Sequence, residues 1–271
     1  MTLYQLVGRY HGIFDVLGPL SSTPTREAVD TARKVRKTMR AELLYITDTY
    51  CIWCYGFGGV IGRIASDYAD RIDIRLLHGG MIPSDLPLPD LFRAYPDRVA
   101  LHARVALMSG EPFEKAYLGH IENIETSNLT LNSTVPARAA LALKFLGVEN
   151  ELAVAKAIQR AYYVNGNDLQ DLSTYDAIAT EFGVDFTAFQ SKFDAPQVKN
   201  AIMEAYRFVE SLGIRGFPAV LLRGNDGRYI VVAQGFLPIE DLRSNLEQAL
   251  LLHGPASQSF GQACTMDGVC S

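Results

Sequence analysis

The feature that most constrains this chain is a pair of cysteines, two residues apart, at the junction of a predicted strand and a predicted helix. The segment AELLYITDTY, beginning at Ala41, is a short apolar run that suits a buried strand. Cys51 and Cys54 follow at once, and GFGGVIGRIASDYADR then carries apolar residues at helical spacing. A second predicted strand, IDIRLLH, closes at Gly79-Gly80. This β-α-β unit, with its cysteines at the first turn, indicates an α/β fold.

The remaining sequence predicts how this unit is completed. Residues 84–212 are mostly helical in pattern, and several of their amphipathic segments end in glycine. Strands return in GFPAVLLRGNDGRYIVVAQG, where Asn-Asp-Gly is typical of a hairpin turn, and a closing helix follows. We therefore expect one sheet from residues 41–83 and 213–254, with 84–212 as an inserted helical domain. Residues 1–40 are expected to form an N-terminal extension, and 255–271 a flexible C-terminal tail.

Composition and charge exclude several classes of function. The chain has 271 residues, of which 48% are hydrophobic and 20% charged, as in ordinary globular proteins. A net charge of −5 offers no basic surface to nucleic acid. No apolar run approaches the roughly 20 residues that a membrane helix needs. Because Arg9, His11 and Asp15 interrupt the apolar stretch that a secretory signal requires, we expect a cytoplasmic protein.

The cysteine pair allows three interpretations. Structural disulfides are rare in the cytosol, so a cysteine pair there is more often catalytic or metal-binding. A zinc site would need the second pair, Cys264 and Cys270, whose five intervening residues are not a usual zinc spacing, so we expect no metal. The third interpretation is that Cys51 and Cys54 are small apolar residues in a core, since free cysteine is often buried.

A redox role requires a nucleophilic thiolate, a second thiol that resolves the mixed disulfide, and access for a substrate. Cys51 is predicted to lie at the helix N-terminus, where unpaired N–H groups and the helix dipole favour a thiolate. Cys54 would lie one turn further in, more buried, and is the predicted resolving thiol. This chemistry needs no organic or metal cofactor.

A second motif, GIRGFPAVLL, places Pro218 at the start of a predicted central strand, where proline is tolerated only as the first residue; an ordinary trans proline on an edge strand is the alternative. CIWC, followed after a helical insertion by GFP, resembles the DsbA-like branch of the thioredoxin superfamily, from Ala41 to about His253. TDTYCIWCYGFG is similar to the cytoplasmic FrnE-type disulfide isomerases of that branch. The resemblance implies a thioredoxin fold and thiol–disulfide oxidoreductase or isomerase activity, with Cys51 attacking, Cys54 resolving and Pro218 in the cis form.

The same resemblance implies partners and further site residues. We expect protein thiols and disulfides as substrates, and glutathione or thioredoxin as the electron partner. The Phe217 backbone would pair with a substrate strand, and Trp53, expected to be partly exposed, would contact the substrate. The tail QACTMDGVCS is similar to tails that carry an extra cysteine pair in that branch. Cys264 and Cys270 are therefore either an auxiliary redox pair or two thiols that oxidise adventitiously.

The chain also departs from the better-known members. Ile52-Trp53 replaces Pro-His, so a strongly oxidising character is not implied. Tyr45 stands where related enzymes often place a buried acid; Asp48 is the nearest acid, with a turn role favoured over proton relay. His78 is expected to be structural.

Two rival hypotheses on function stay open: a glutathione-dependent isomerase or transferase like the kappa class, and a zinc-bound redox switch using all four cysteines. The oligomeric state is also open.

Overall fold

The structure is a computed structural model that describes residues 40–254. The predicted N-terminal extension, except its last residue, and the tail with Cys264 and Cys270 lie outside the described residues. The strands are β1 Ala41–Thr47, β2 Ile72–His78, β3 Leu86–Pro87, β4 Thr130–Leu131, β5 Ala219–Arg223 and β6 Tyr229–Gln234. The helices are α1 Ile52–Asp67, α2 Leu88–Phe92, α3 Arg98–Ser109, α4 Lys115–Glu122, α5 Thr134–Phe145, α6 Glu151–Tyr163, α7 Thr174–Glu181, α8 Phe186–Asp194, α9 Pro196–Ser211 and α10 Ile239–His253.

Strands from both ends of the described chain form one sheet, in the order β2-β1-β5-β6. β1 is parallel to β2 and antiparallel to β5, and β5 is antiparallel to β6. Thr47 pairs with His78, and Ile46 with Ala219. The ends of β1 and β2 and the start of β5 therefore lie side by side. The dithiol loop follows β1 at this edge.

Alternating residues of β1 face two helical layers, as the two-residue period of a strand requires. Leu43 and Tyr45 pack with Phe57 of α1 and with α10 on one face. Leu44 and Ile46 pack with Val209 of α9 on the other. The predicted α/β thioredoxin fold is confirmed. α9 lies inside the range predicted as an insertion, and it also covers one face of the sheet.

A separate helical core adjoins this sheet. Side chains from α2 to α8 form one apolar cluster, and Tyr50, Ile52 and Tyr55 at the start of α1 belong to it as well. The first turn of α1 thus packs in the helical core, while Phe57 and Ile61, further along, pack on the sheet. The short antiparallel pair β3–β4 was not predicted. In the part of the chain that the structure describes, no helix is long and apolar enough to cross a membrane.

Candidate active site

Cys51 is the N-cap residue of α1. Its backbone is extended (φ −80°, ψ 110°), its side chain makes no capping hydrogen bond, and the first turn contains no acidic residue. The first N–H groups of a helix have no partner within the helix, and together with the dipole they favour a nearby negative charge. Cys51 is 8% exposed. This placement leaves Cys51 slightly exposed at the positive end of a helix.

Cys54 lies one turn further into α1 and is completely buried. Its Sγ accepts a hydrogen bond from the backbone N–H of Asp48, with an N–S distance of 3.4 Å. Burial, followed by the hydrogen bond and charge of Cys51, raises the pKa of the Cys54 thiol well above its ordinary value. Both cysteines are free thiols. A buried, protonated thiol directly beside an accessible one is the arrangement that a resolving cysteine needs.

The loop before β5 completes the accessible side of Cys51. The Cys51 Sγ donates to the carbonyl oxygen of Phe217 across 3.5 Å. The Phe217–Pro218 peptide bond is cis, and Pro218 is buried while Phe217 is half-buried. The Pro218 carbonyl accepts the N–H of Gly235 at 2.7 Å, which fixes this loop to the end of β6. The structure therefore brings Cys51, Cys54 and the Phe217–Pro218 loop together.

Two glycines at the end of β2 support that loop. A Cβ on Gly79 would lie 2.2 Å from the Phe217 ring, so the ring packs directly on the glycine backbone. Gly80 has φ +70°, a conformation that favours glycine, and a Cβ on Gly80 would lie 2.8 Å from the Tyr206 ring. Sequence reasoning took this pair only as a turn. The signal in the sequence is that the pair directly follows β2. Because β2 is parallel to β1, its end lies at the same edge of the sheet as the dithiol loop.

Asp48 lies beneath the dithiol and is 1% exposed. Its Oδ1 accepts from the Tyr50 N–H at 3.1 Å and from the Ser133 hydroxyl at 2.9 Å, and its Oδ2 accepts from the Met81 N–H at 2.7 Å. Burial raises the pKa of the Asp48 carboxyl above its ordinary value. The bond to Tyr50 is the turn contact expected from sequence. The bonds to Ser133 and Met81 were missed, because these partners are distant in sequence.

Trp53 lies half-buried at the rim of the site. Its ring centroid is 5.7 Å from that of Phe236, and the Arg104 guanidinium lies 6.0 Å from the Trp53 centroid. The neighbouring Tyr50 and Tyr55 are buried and belong to the helical core. Of the aromatic residues around the cysteines, Trp53, Phe217 and Phe236 are half-buried.

His78 is buried at the end of β2 and lines a small cavity with Lys144 and Glu151. Burial and then the charge of Lys144 lower its pKa to about 4, so it is neutral at pH 7. Within residues 40–254, no group of three or more His, Cys, Asp and Glu side chains is placed to hold a metal ion. Cys264 and Cys270, the two remaining candidate redox residues, lie outside the described part.

Comparison with known proteins identifies the family. A family model of the DSBA-like thioredoxin domain matches residues 43–247, which include the cysteine pair and the Phe217–Pro218 loop. The chain belongs to the DSBA-like thioredoxin family. This confirms the resemblance drawn from CIWC and GFP. A comparison with curated proteins matches none of them.

Solved structures of two other proteins are similar to this DSBA-like chain. A candidate protein disulfide isomerase from Nitrosomonas europaea has 26% sequence identity and a TM-score of 0.69, covering 79% of this chain and 100% of that one. The cytosolic disulfide reductase DsbM from Pseudomonas aeruginosa has 28% identity and a TM-score of 0.59, covering 78% and 99%. DsbM has also been solved with GSH, at 27% identity and a TM-score of 0.58. Family and relatives support a thiol–disulfide oxidoreductase in the broad sense.

Proposed function

We propose that this DSBA-like protein reduces or isomerises protein disulfides through Cys51 and Cys54. The observation that carries the proposal is the placement of Cys51, 8% exposed at the start of α1, above the fully buried Cys54. The Cys51 thiolate attacks one sulfur of a substrate disulfide and forms a mixed disulfide, releasing the other sulfur as a thiolate. Cys54 then attacks the Cys51 sulfur and releases the second substrate thiol. The substrate gains two electrons, and the protein retains a Cys51–Cys54 disulfide.

The substrate is proposed to bind as an extended segment beside the loop before β5. The Phe217 carbonyl lies 3.5 Å from the Cys51 Sγ, so it can accept an N–H from a backbone whose cysteine reaches Cys51. Main-chain pairing of this kind gives affinity without demanding one sequence. Trp53 and the Phe217 ring then supply apolar contact on the substrate side chains. An isomerase needs such tolerance, because its substrates differ in sequence.

Glutathione is the proposed electron donor, and the cytoplasm the proposed location. Two glutathione molecules reduce the Cys51–Cys54 disulfide, giving the dithiol and one oxidised glutathione. The support is DsbM, which is named as a cytosolic disulfide reductase and was solved with GSH. Glutathione keeps thiols reduced in that compartment, so a dithiol there is regenerated after each turnover.

We further propose that Cys264 and Cys270 form an auxiliary redox pair. The Asn225 N–H donates to the His253 carbonyl at 3.1 Å, so the end of α10 lies at the β5–β6 turn. From that turn, residues 225–218 lead back to the active site over about 23 Å. Cys264 comes ten residues after Gly254, and ten extended residues reach up to about 33–36 Å. The pair can thus reach Cys51, and a tethered thiol acts at a local concentration on the order of millimolar.

The equilibrium of the full chain with glutathione redox buffers tests the function. Thiols are alkylated and mapped by mass spectrometry, with Cys264→Ser/Cys270→Ser and Cys51→Ser variants alongside. We expect a reversible disulfide linking Cys51 to Cys54 in the wild type and in the tail variant, and a second one, linking Cys264 to Cys270, in the wild type alone. We also expect glutathione-driven reduction of a model protein disulfide, which Cys51→Ser abolishes. Cysteines that stay reduced and unreactive would disprove the proposal.

A further inference from the structure

Asp48 is a buried carboxylate next to the dithiol. The backbone N–H of Asp48 contacts the Cys54 Sγ at 3.4 Å. Covalent geometry then keeps the carboxylate of the same residue within about 8 Å of that sulfur. At 1% exposure the carboxylate is shielded from water, so solvent screens its field only weakly.

The partners of Asp48 fit an ionised carboxylate. Tyr50 and Met81 offer backbone N–H groups, and Ser133 offers a hydroxyl. The Ser133 oxygen accepts the N–H of Ile82 at 3.0 Å and donates its own hydrogen to Asp48. An ionised carboxylate has acceptor sites for all three of these donors. In the described residues, the groups that contact the carboxylate are therefore donors, and no cation neutralises it.

A negative charge near a cysteine pair disfavours the thiolate. The reduced form of a dithiol is stabilised by its thiolate, so a group that destabilises the thiolate moves the couple toward the disulfide. We propose that Asp48 is a positioning residue whose charge, held by Ser133 and the loop N–H groups, makes Cys51–Cys54 a stronger reductant. The inference rests on the proposed function, and it specifies the direction of electron flow: from the dithiol to the substrate disulfide.

Four tyrosines also face the cysteines or Asp48. Tyr45 of β1 and Tyr163 of α6 face the cysteines, while Tyr50 and Tyr206 of α9 face Asp48. Burial raises the pKa of each of these four phenols, so all are neutral near pH 7. Among the described residues, we therefore assign the charge that acts on the dithiol to Asp48.

The test compares Asp48→Asn with Ser133→Ala, both in the full chain with Cys264→Ser/Cys270→Ser. Asp48→Asn removes the charge, whereas Ser133→Ala keeps the charge and removes two hydrogen bonds of the same network, the one to Asp48 and the one from the Ile82 N–H. The pH dependence of Cys51 alkylation reports its thiolate. The Cys51 thiol is hydrogen-bonded to that of Cys54, so the carboxylate lies within about 12 Å of the Cys51 sulfur. A unit charge at that distance, with an effective dielectric constant of about 20, changes such an equilibrium by about tenfold or more.

We expect at least about tenfold more Cys51 thiolate in Asp48→Asn than in the wild type. The comparison is made at a pH below the midpoint of the alkylation curve of either protein. Where Cys51 is a thiolate in both proteins, the glutathione equilibrium should shift about tenfold toward the dithiol, or ~30 mV. Ser133→Ala should shift either quantity by less than about threefold. Asp48→Ser, a second neutral variant, takes the place of Asp48→Asn if the latter does not fold.

Three outcomes would overturn the inference. Equal shifts in the Asp48 and Ser133 variants would mean that Asp48 acts only by holding the loop. An Asp48→Asn protein that matches the wild type would mean that its charge has no effect on the dithiol. Both results leave the proposed function intact, because the wild type still forms a reversible disulfide. A wild type without that disulfide would overturn the inference and the proposed function together.

Discussion

At the residue scale, the two cysteines differ in burial, and this difference supports the different roles proposed for them. Cys51 is 8% exposed and Cys54 is 0% exposed, although only two residues separate them. A substrate disulfide can approach the first sulfur and not the second. Burial is the main cause that raises the pKa of the Cys54 thiol well above its ordinary value, which favours the protonated thiol that the proposed mechanism needs before the mixed disulfide forms. This asymmetry makes a direct prediction for single serine variants.

Cys54→Ser should trap the mixed disulfide, because the thiol that resolves it is gone. With oxidised glutathione in the tail-variant background, we expect one glutathione adduct mapped to Cys51 by mass spectrometry. Turnover of a model protein disulfide should fall by about two orders of magnitude. Cys51→Ser is the matched control and should carry no adduct. If Cys51→Ser instead carried a glutathione adduct on Cys54, the assignment of Cys51 as the attacking thiol would be contradicted.

The sequence predicts the position of a residue in its element where that position follows from local pattern. Cys51 was placed at a helix start because a strand pattern ends and a helical period begins around it. The network of Asp48 could not be predicted, because Ser133 and Met81 reach it through the tertiary fold. A turn propensity accounts for the bond from Tyr50, two residues away, and for nothing beyond it.

At the element scale, long periodic segments were predicted well and short or dual-purpose ones were not. β3 and β4 have two residues each, too few for any period to be seen. The amphipathic pattern of residues 197–213 predicted a helix, and α9 spans Pro196–Ser211. It could not indicate that Val209 packs on the sheet, because a hydrophobic face does not specify its partner. The site depends on such element contacts, above all between the end of β2 and the loop before β5.

Gly79→Ala should disturb that contact. The new methyl group would lie 2.2 Å from the Phe217 ring, so the ring must move. We expect a stability loss of about 1 kcal/mol, since the ring is half-buried and can yield. We also expect a roughly tenfold fall in kcat/KM with protein disulfides, because the substrate-facing loop shifts. Denaturant unfolding and steady-state kinetics measure the two effects.

Gly58→Ala is the matched control for that variant. Gly58 lies in α1, and a Cβ there would have no atom within 4 Å. Alanine is the better helix former, so stability should rise by about 0.5–1 kcal/mol while kcat/KM stays unchanged. If Gly79→Ala behaved like Gly58→Ala, the Phe217 loop would not depend on β2. If Gly79→Ala also changed the reduction potential of the Cys51–Cys54 disulfide, the rearrangement would be wider than the one predicted.

At the scale of the whole described unit, two cores meet under the active site. The first turn of α1 packs in the helical core, and its later turns pack on the sheet. His78 lies where the edge of the sheet meets the helices, in a cavity shared with Lys144 of α5 and Glu151 of α6. Acidification should therefore weaken the molecule at this junction, since a buried histidine must accept a proton there.

The sign of the His78 effect follows from proton linkage. Burial, followed by the charge of Lys144, lowers its pKa in the folded protein to about 4, from the ordinary value of 6.5. Between these values the unfolded chain binds the proton and the folded chain does not. The contribution of neutral His78 to the free energy of unfolding is complete above about pH 6.5. It declines as the pH falls to about 4, by about 3 kcal/mol in total. The raised pKa of Asp48 acts in the opposite direction, so His78 must be isolated by difference.

His78→Gln isolates it, because glutamine is polar and does not titrate. Urea unfolding of both proteins at pH 7, 5.5 and 4 gives the free energy of unfolding under each condition. We expect the wild type to lose about 3 kcal/mol more than the variant between pH 7 and pH 4. The variant is expected to be less stable at pH 7, where neutral His78 packs without penalty, and the difference should shrink or reverse in acid. Parallel losses would show that the junction between sheet and helices tolerates the charge, and that acid unfolds the protein elsewhere.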